Sequence, residues 1–254
     1  ALLTVRILAA NGTPLRTLAN AQAAAAGIVV VDWDGKDTAG TVLPEAAHRI
    51  EILAVDAAQS ASSETATLET RIDVTLPVLT IATPAAAHLR QGYIEWRVAE
   101  SALASATGRL FSMPGSTLIT EQAVTTVGSH LLRNSDDLNE GLYRIDLEAL
   151  DVAGNRATLT RDFRLDRTAP TVSLMAPLND AVLPRAATSV RGVIEDVDLA
   201  NWRLELVGAS TTILGQGQNT VPTEAQILAW TVSQPDGPYQ LRLVATDGAG
   251  NSTT

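Results

Sequence analysis

One strand pattern occurs three times along the chain. The copies are His48-Arg-Ile-Glu-Ile-Leu-Ala-Val-Asp56, Tyr143-Arg-Ile-Asp-Leu-Glu-Ala-Leu-Asp151 and Tyr239-Gln-Leu-Arg-Leu-Val-Ala-Thr-Asp247. Apolar and polar residues alternate with period two, which gives a strand one buried face and one wet face. Asp56 and Asp151 lie 95 residues apart, and Asp151 and Asp247 lie 96 apart. A spacing that steady is the length of one small β-sandwich. Each Asp is followed by turn residues: Ala57-Ala-Gln-Ser60, Val152-Ala-Gly-Asn155 and Gly248-Ala-Gly-Asn251. Gly and Asn tolerate positive φ and close tight turns.

The connections repeat as well. Arg71-Ile-Asp73-Val-Thr75-Leu-Pro77 matches Arg164-Leu-Asp166-Arg-Thr168-Ala-Pro170 at an offset of 93 residues, and Pro84 and Pro177 keep the same offset. Proline fixes its own φ and holds the preceding residue extended, so these linkers read as short and stiff. Helical signals are few. Thr223-Glu-Ala-Gln-Ile-Leu-Ala229 reads as one short helical turn capped by Thr223. The remaining runs are strand-length and bounded by Gly, Pro, Asn and Asp. The chain is therefore expected to be all-β, with three tandem Ig-like β-sandwich modules in an extended array at 1–73, 74–166 and 167–254. Residue 1 already reads as the start of a strand, and Thr254 follows the third turn at once. The sequence thus reads as a piece of a longer chain whose last strand is truncated.

Two family resemblances follow from these motifs. The hairpin around Asn11-Gly12, the Trp33-Asp34-Gly35-Lys36-Asp37-x-x-Gly40 signature and the closing strand 49–56 resemble the Ig-like module of flagellar hook-capping proteins. That module also occurs in large secreted bacterial proteins, Rhs-type proteins among them. Here Ala46-Ala47-His48 replaces the Gly-x-Tyr usual before the last long strand. Residues 74–254, with Asp-x-Ala-Gly-Asn turns and Asp-x-Thr-x-Pro linkers, resemble the bacterial Ig-like domains found in tandem on surface proteins. The resemblance implies an extracellular or cell-surface, non-catalytic spacer that presents another domain of the same long chain. The alternatives are an adhesin or carbohydrate-binding module with a protein or glycan ligand, and a flagellar-cap-like assembly component.

Composition trims the remaining classes. A net charge of −10 opposes binding to a phosphate backbone. The absence of cysteine removes disulfides, zinc–thiolate centres and cysteine nucleophiles together. The apolar run 23–31 is too short to insert into a membrane. Three histidines, His48, His88 and His130, form no metal-binding spacing, and no Gly-x-Ser-x-Gly elbow accompanies them. His48 is read as an edge or surface ring where the other copies carry tyrosine. Trp33, Trp96, Trp202 and Trp230 are read as core rings, and Arg/Glu alternation as a solvated face with cross-strand pairs.

No catalytic residues and no required cofactor are assigned. The one site with a geometric basis is calcium at the linkers. In an Ig-type sandwich the turn after the repeated strand lies at the end where the chain enters. Asp73 should therefore approach Asp151–Asn155, with Glu100 at hand. Asp166 should approach Asp247–Asn251, with Glu195, Asp196 and Asp198 at hand. Carboxylates and turn carbonyls suit a hard cation. The competing reading is that each Asp merely accepts backbone N–H bonds in its own turn.

Overall fold

The computed structural model describes residues 1–58 and 62–254 and is built almost wholly of strands. Gln59 and Ser60, in the turn expected after Asp56, lie outside the described residues. Residues 2–72 hold β1 (Leu2–Ala9), β2 (Pro14–Ala23), β3 (Ala46–Val55) and β4 (Ser63–Ile72). Residues 78–165 hold β5 (Val78–Thr83), β6 (His88–Leu89), β7 (Tyr93–Ala99), β8 (Leu103–Met113), β9 (Thr117–Val124), β10 (Gly128–Asn134), β11 (Gly141–Asp151) and β12 (Arg156–Leu165). Residues 171–253 hold β13 (Thr171–Ala176), β14 (Ala187–Glu195), β15 (Leu199–Val207), β16 (Thr211–Gly217), β17 (Val221–Thr231), β18 (Gln240–Asp247) and β19 (Ser252–Thr253). The only helical piece among the described residues is a 3-10 turn at Ser135–Asp137, and no helix is long and apolar enough to cross a membrane. The chain divides into two compact units: residues 1–78 with 100–104 and 149–157, and residues 79–99, 105–148 and 158–254.

In the first unit β2-β1-β3-β4 form one antiparallel sheet. Register sets Val5 opposite Ile52 and Ile7 opposite Ile50, which gathers the apolar side chains on one face. The second layer is irregular chain rather than a sheet. Residues 24–45 contain short apolar runs, but Asp32, Asp34 and the turn glycines Gly35 and Gly40 break them before a strand can pair. Val29 and Val31 line a groove with Leu3, Val5, Ile50 and Ile52, while Ile28 and Val30 face solvent. The Trp33–Gly40 signature closes on itself. Asp37 Oδ1 accepts the N–H groups of Ala39 and Thr41, Trp33 Nε1 donates to the Lys36 carbonyl, and Arg16 pairs with Asp34. Its polar residues are thus occupied in shaping the loop.

His48 corrects an expectation. It is buried, not a surface ring, at 4% exposure and edge-on to Trp33. The tyrosines at the matching positions explain why. Tyr143 donates its hydroxyl to the carbonyl of Asn139 at 2.6 Å, and Tyr239 donates to Pro235 at 3.2 Å. His48 Nε2 reaches the carbonyl of Pro44 at 3.3 Å, again four residues back. A carbonyl only accepts, so the proton sits on Nε2. Nδ1 is then left buried without a partner.

In the second unit two sheets, β10-β7-β5 and β6-β12-β11-β8-β9, carry inward faces of buried residues. Ile94, Trp96 and Val98 of β7 are fully buried, as are Leu110 of β8 and Ile145 of β11. Gly108 matters here. A Cβ at that position would lie 2.9 Å from Trp96 Nε1, so the bare backbone of β8 makes room for the indole of the opposing sheet. Sheets β13-β14-β17 and β16-β15-β18-β19 enclose the last core, with Val190, Ile194 and Trp230 from one and Trp202, Leu204 and Leu243 from the other. The segment Thr223–Ala229, expected as a helical turn, is instead the middle of β17. Its partner β14 decides this. Pairing through Val190–Leu228 and Thr188–Trp230 brings Trp230 into the core, and Pro222 is tolerated because β17 is an edge strand. The charged alternation forms cross-strand pairs as expected, with Arg6–Glu51 at 3.2 Å and Arg109–Glu121 at 2.6 Å.

Replacing His48 by Tyr should restore the hydroxyl bond to Pro44 and remove the stranded Nδ1. The expected gain is about 1 kcal/mol, or roughly 4–8 °C in the melting of the first unit. An unchanged or lower melting temperature would refute this account of the corner.

Candidate metal centre

The strand that ends in Asp delivers that carboxylate into a five-residue turn, and the same closure is built twice. In the first unit Asp151 N–H donates to the Asn155 carbonyl at 3.1 Å. Asn155 N–H returns to Asp151 Oδ1 at 2.8 Å, and Asn155 Nδ2 donates to Asp151 Oδ2 at 2.8 Å. In the second unit Asn251 N–H donates to Asp247 Oδ1 at 2.8 Å and its Nδ2 to Asp247 Oδ2 at 2.7 Å. Gly154 and Gly250 stand at φ of 94° and 87°, where a side chain would be strained. The asparagine amide also reaches the linker. Asn155 Nδ2 donates to the Asp73 carbonyl at 3.0 Å, and Asn251 Nδ2 donates to the Asp166 carbonyl at 3.1 Å.

Each linker is held on its other side too. Thr75 Oγ1 donates to Glu45 Oε2 at 2.5 Å, and Arg71 pairs with the same carboxylate. Thr168 Oγ1 donates to Glu140 Oε2 at 2.8 Å, and the Arg167 backbone N–H donates to Oε1 at 2.8 Å. The Arg167 guanidinium reaches the carbonyls of Ser135 and Leu138. Glu45 and Glu140 stand 95 residues apart, three before His48 and Tyr143. This repeated clasp was missed in the sequence. Its signal was a Glu repeated after 95 residues and a Thr after 93, but nothing local joins residues about thirty positions apart. The Thr75 hydroxyl bond, followed by the Arg71 contact, holds the Glu45 carboxyl below its usual range against the opposing effect of burial.

The first carboxylate group unites Asp73, Glu100 and Asp151, whose ligand oxygens all lie within 4.8 Å of one another. A cation with oxygen ligands at roughly 2.3–2.6 Å spans such a group. One oxygen of each residue already serves the backbone. Asp73 Oδ1 accepts Thr75 N–H, Glu100 Oε1 accepts Ser101 and Ala102 N–H, and Asp151 Oδ1 accepts Asn155 N–H. Asp151 Oδ2 in turn accepts the Asn155 side-chain amide, so both of its oxygens serve the turn. Burial pushes Asp151 up, but the bonds from the Asn155 side chain and the backbone of Asn155, Ala153 and Gly154 outweigh it and hold the group ionised.

At the second linker the charges of Asp166 and Asp247 act on Asp196, but among the described residues only the first group brings three ligand oxygens within 4.8 Å of one another. Burial pushes the Asp196 carboxyl above its usual range. The N–H of Asp198 opposes that rise, and the charges of Asp247, Asp166 and Asp198 add to it. Asn251 Oδ1 is buried there without any partner, in a residue 3% exposed. That orphaned oxygen, beside carboxylates that repel one another, fits a hard cation. Glu195 ends β14 exposed. Asp198 lies close by, but its Oδ2 faces Arg164 Nε and His88 Nε2. His130 Nε2 lies 3.0 Å from the Thr126 carbonyl.

No family model matches the chain, and no curated protein matches it. Solved structures give loose likenesses. A tetra-tandem repeat from the extending region of a large adhesion protein shares 14% identity at a TM-score of 0.35, over 98% of this chain and 64% of that one. The chain thus spans just under two thirds of that structure. The Ca2+-stabilized adhesin of an Antarctic bacterium shares 18% identity at a TM-score of 0.31, over 99% of this chain and 63% of that one. The FN1–FN3 domains of chicken CNTN1 share 11% identity at a TM-score of 0.39, over 98% of this chain and 86% of that one.

Replacing Asp196 by Asn tests the charge strain. A carboxyl whose pKa is raised on folding costs stability above its unfolded value, so the loss grows as pH climbs from about 4. In chelator at pH 7 the variant should melt higher than the unaltered chain, and the difference should vanish below pH 4. A variant that melts lower in chelator would overturn the reading.

Proposed function

We propose that the chain is a non-catalytic structural segment of a large exported bacterial protein, at the cell surface or outside the cell, where it supports or presents other domains of the same polypeptide. The observation that carries this reading is the double grip on each linker. A side-chain amide of the following segment holds the linker carbonyl, and a glutamate of the preceding segment holds the linker threonine. The same two contacts recur at both linkers, in residues that are exposed or partly buried apart from Asp166 and Asn251. The polar groups of the most motif-like loop, Trp33–Gly40, are likewise consumed in structure.

Calcium is the cation we assign to the two carboxylate groups. When bound it neutralises Asp73, Glu100 and Asp151 at one linker and Asp166, Asp196 and Asp247 at the other. The turn bonds orient the carboxylates, with both oxygens of Asp151 and of Asp247 held by the asparagine of the same turn.

Calcium titration monitored by thermal melting tests the assignment. The chain should melt higher in millimolar calcium than in chelator, the concentration range of extracellular modules, roughly 10⁻⁴–10⁻³ M. Asp73→Asn and Asp166→Asn should each remove part of the shift. A melting temperature unmoved by calcium would discard the cation. The supporting role is tested separately on a glycan array, where no saturable binding is expected. Saturable binding would move the reading to an adhesin.

A further inference from the structure

The second linker carries a contact the first lacks, and it goes beyond the cation reading. β6 pairs in parallel with the end of β12, which sets His88 beside Arg164. Both side chains meet Asp198, a residue of the following segment. Arg164 Nε contacts its Oδ2, and His88 Nε2 lies 3.5 Å from the same oxygen. Asp198 is itself fixed by its main chain. Its N–H donates to Asp196 Oδ1 at 2.7 Å, and its carbonyl accepts the Gly248 N–H at 2.8 Å. All three side chains are about one-quarter exposed where they meet, His88 and Arg164 at 27% and Asp198 at 26%.

The glycine decides whether this contact can form. A Cβ on Gly248 would lie 2.8 Å from His88 Cε1 and Nδ1, so the imidazole rests against bare backbone. The matching turn, Asp151 to Asn155, makes the same main-chain bond, Val152 N–H to the Ala102 carbonyl at 2.9 Å. There the position is valine, which stands 71% exposed, and Ala102 occupies the place of Asp198. Arg71, the counterpart of Arg164, turns to Glu45 instead. The two turns differ at one position, Val152 against Gly248, and the residue facing that position differs as well, Ala102 against Asp198.

We propose that Arg164 and His88 clamp Asp198 as a latch that fixes the linker 166–170 without any cation, and that Gly248 is the residue that admits it. The carboxylate group beside it, Asp166, Asp196 and Asp247, does not use the Asp198 oxygen that faces Arg164 and His88. The first linker has the carboxylate group and no latch.

The test uses the full chain in chelator and reads amide hydrogen exchange at position 248, corrected for intrinsic rate, with residual dipolar couplings for segments 78–165 and 171–253. Asp198→Asn keeps both main-chain bonds and removes only the charge. It should speed exchange up to roughly five-fold, the size of a partly exposed ion pair. Arg164→Gln should do the same, and the double variant should be no faster than either alone. Gly248→Val reproduces the sequence of the 151–155 turn, which already folds in this chain, so its effect reports the displaced imidazole and not a broken turn. In the unaltered chain the two segments should fit one alignment tensor, and in all variants they should need two. Unchanged exchange in Asp198→Asn, additive effects in the double variant, or two tensors in the unaltered chain in chelator would each overturn the latch. Loss of the calcium shift in melting without any of these changes would remove the cation and leave the latch standing.

Discussion

An aspartate that ends a strand and an asparagine four residues on are the pair on which this architecture turns. The two carboxylate oxygens are filled by one residue, its main-chain N–H on one and its amide on the other. The closure is local and needs no help from the core. It leaves one amide hydrogen free to point out of the turn, and that hydrogen holds the incoming linker. The strand alternation supplies the sandwich faces, but this pair determines how one segment meets the next. Buried neutral-to-charged bonds of this kind are stronger than neutral ones and costly to leave half made.

Electrostatics sharpen the point. Grouping three carboxylates near a linker is unfavourable unless something neutralises them. At the first group, Asp151 is held ionised by hydrogen bonds. At the second, Asp196 is pushed toward protonation by burial and by its acidic neighbours. The two acidic groups thus shift in opposite directions although their linkers share Arg, Asp, Thr and Pro at matching positions. Arg164 adds positive charge on the far side of Asp198, which draws that residue away from the acidic group.

Much of this was legible in the chain. The period-two strands, the core tryptophans Trp96 and Trp202, and the approach of Asp73 and Asp166 to the following Asp–Asn turns all came from spacing and alternation. Three things did not. His48 was misread because a histidine can replace a tyrosine hydroxyl only when a carbonyl lies at the right distance, and that is a property of the folded corner. Thr223–Ala229 looked helical because its residues are good helix formers, yet pairing with β14 outweighs a local preference of a few tenths of a kcal/mol per residue. Glu45 and Glu140 were overlooked because their partners lie about thirty residues away, where no periodicity reaches.

The asparagine grips a peptide carbonyl of the linker and not a side chain. A carbonyl is present whatever residue stands there, so the grip does not read linker sequence. This half of the grip therefore carries over to any linker, whereas the glutamate that holds the linker threonine needs its partner residue in place.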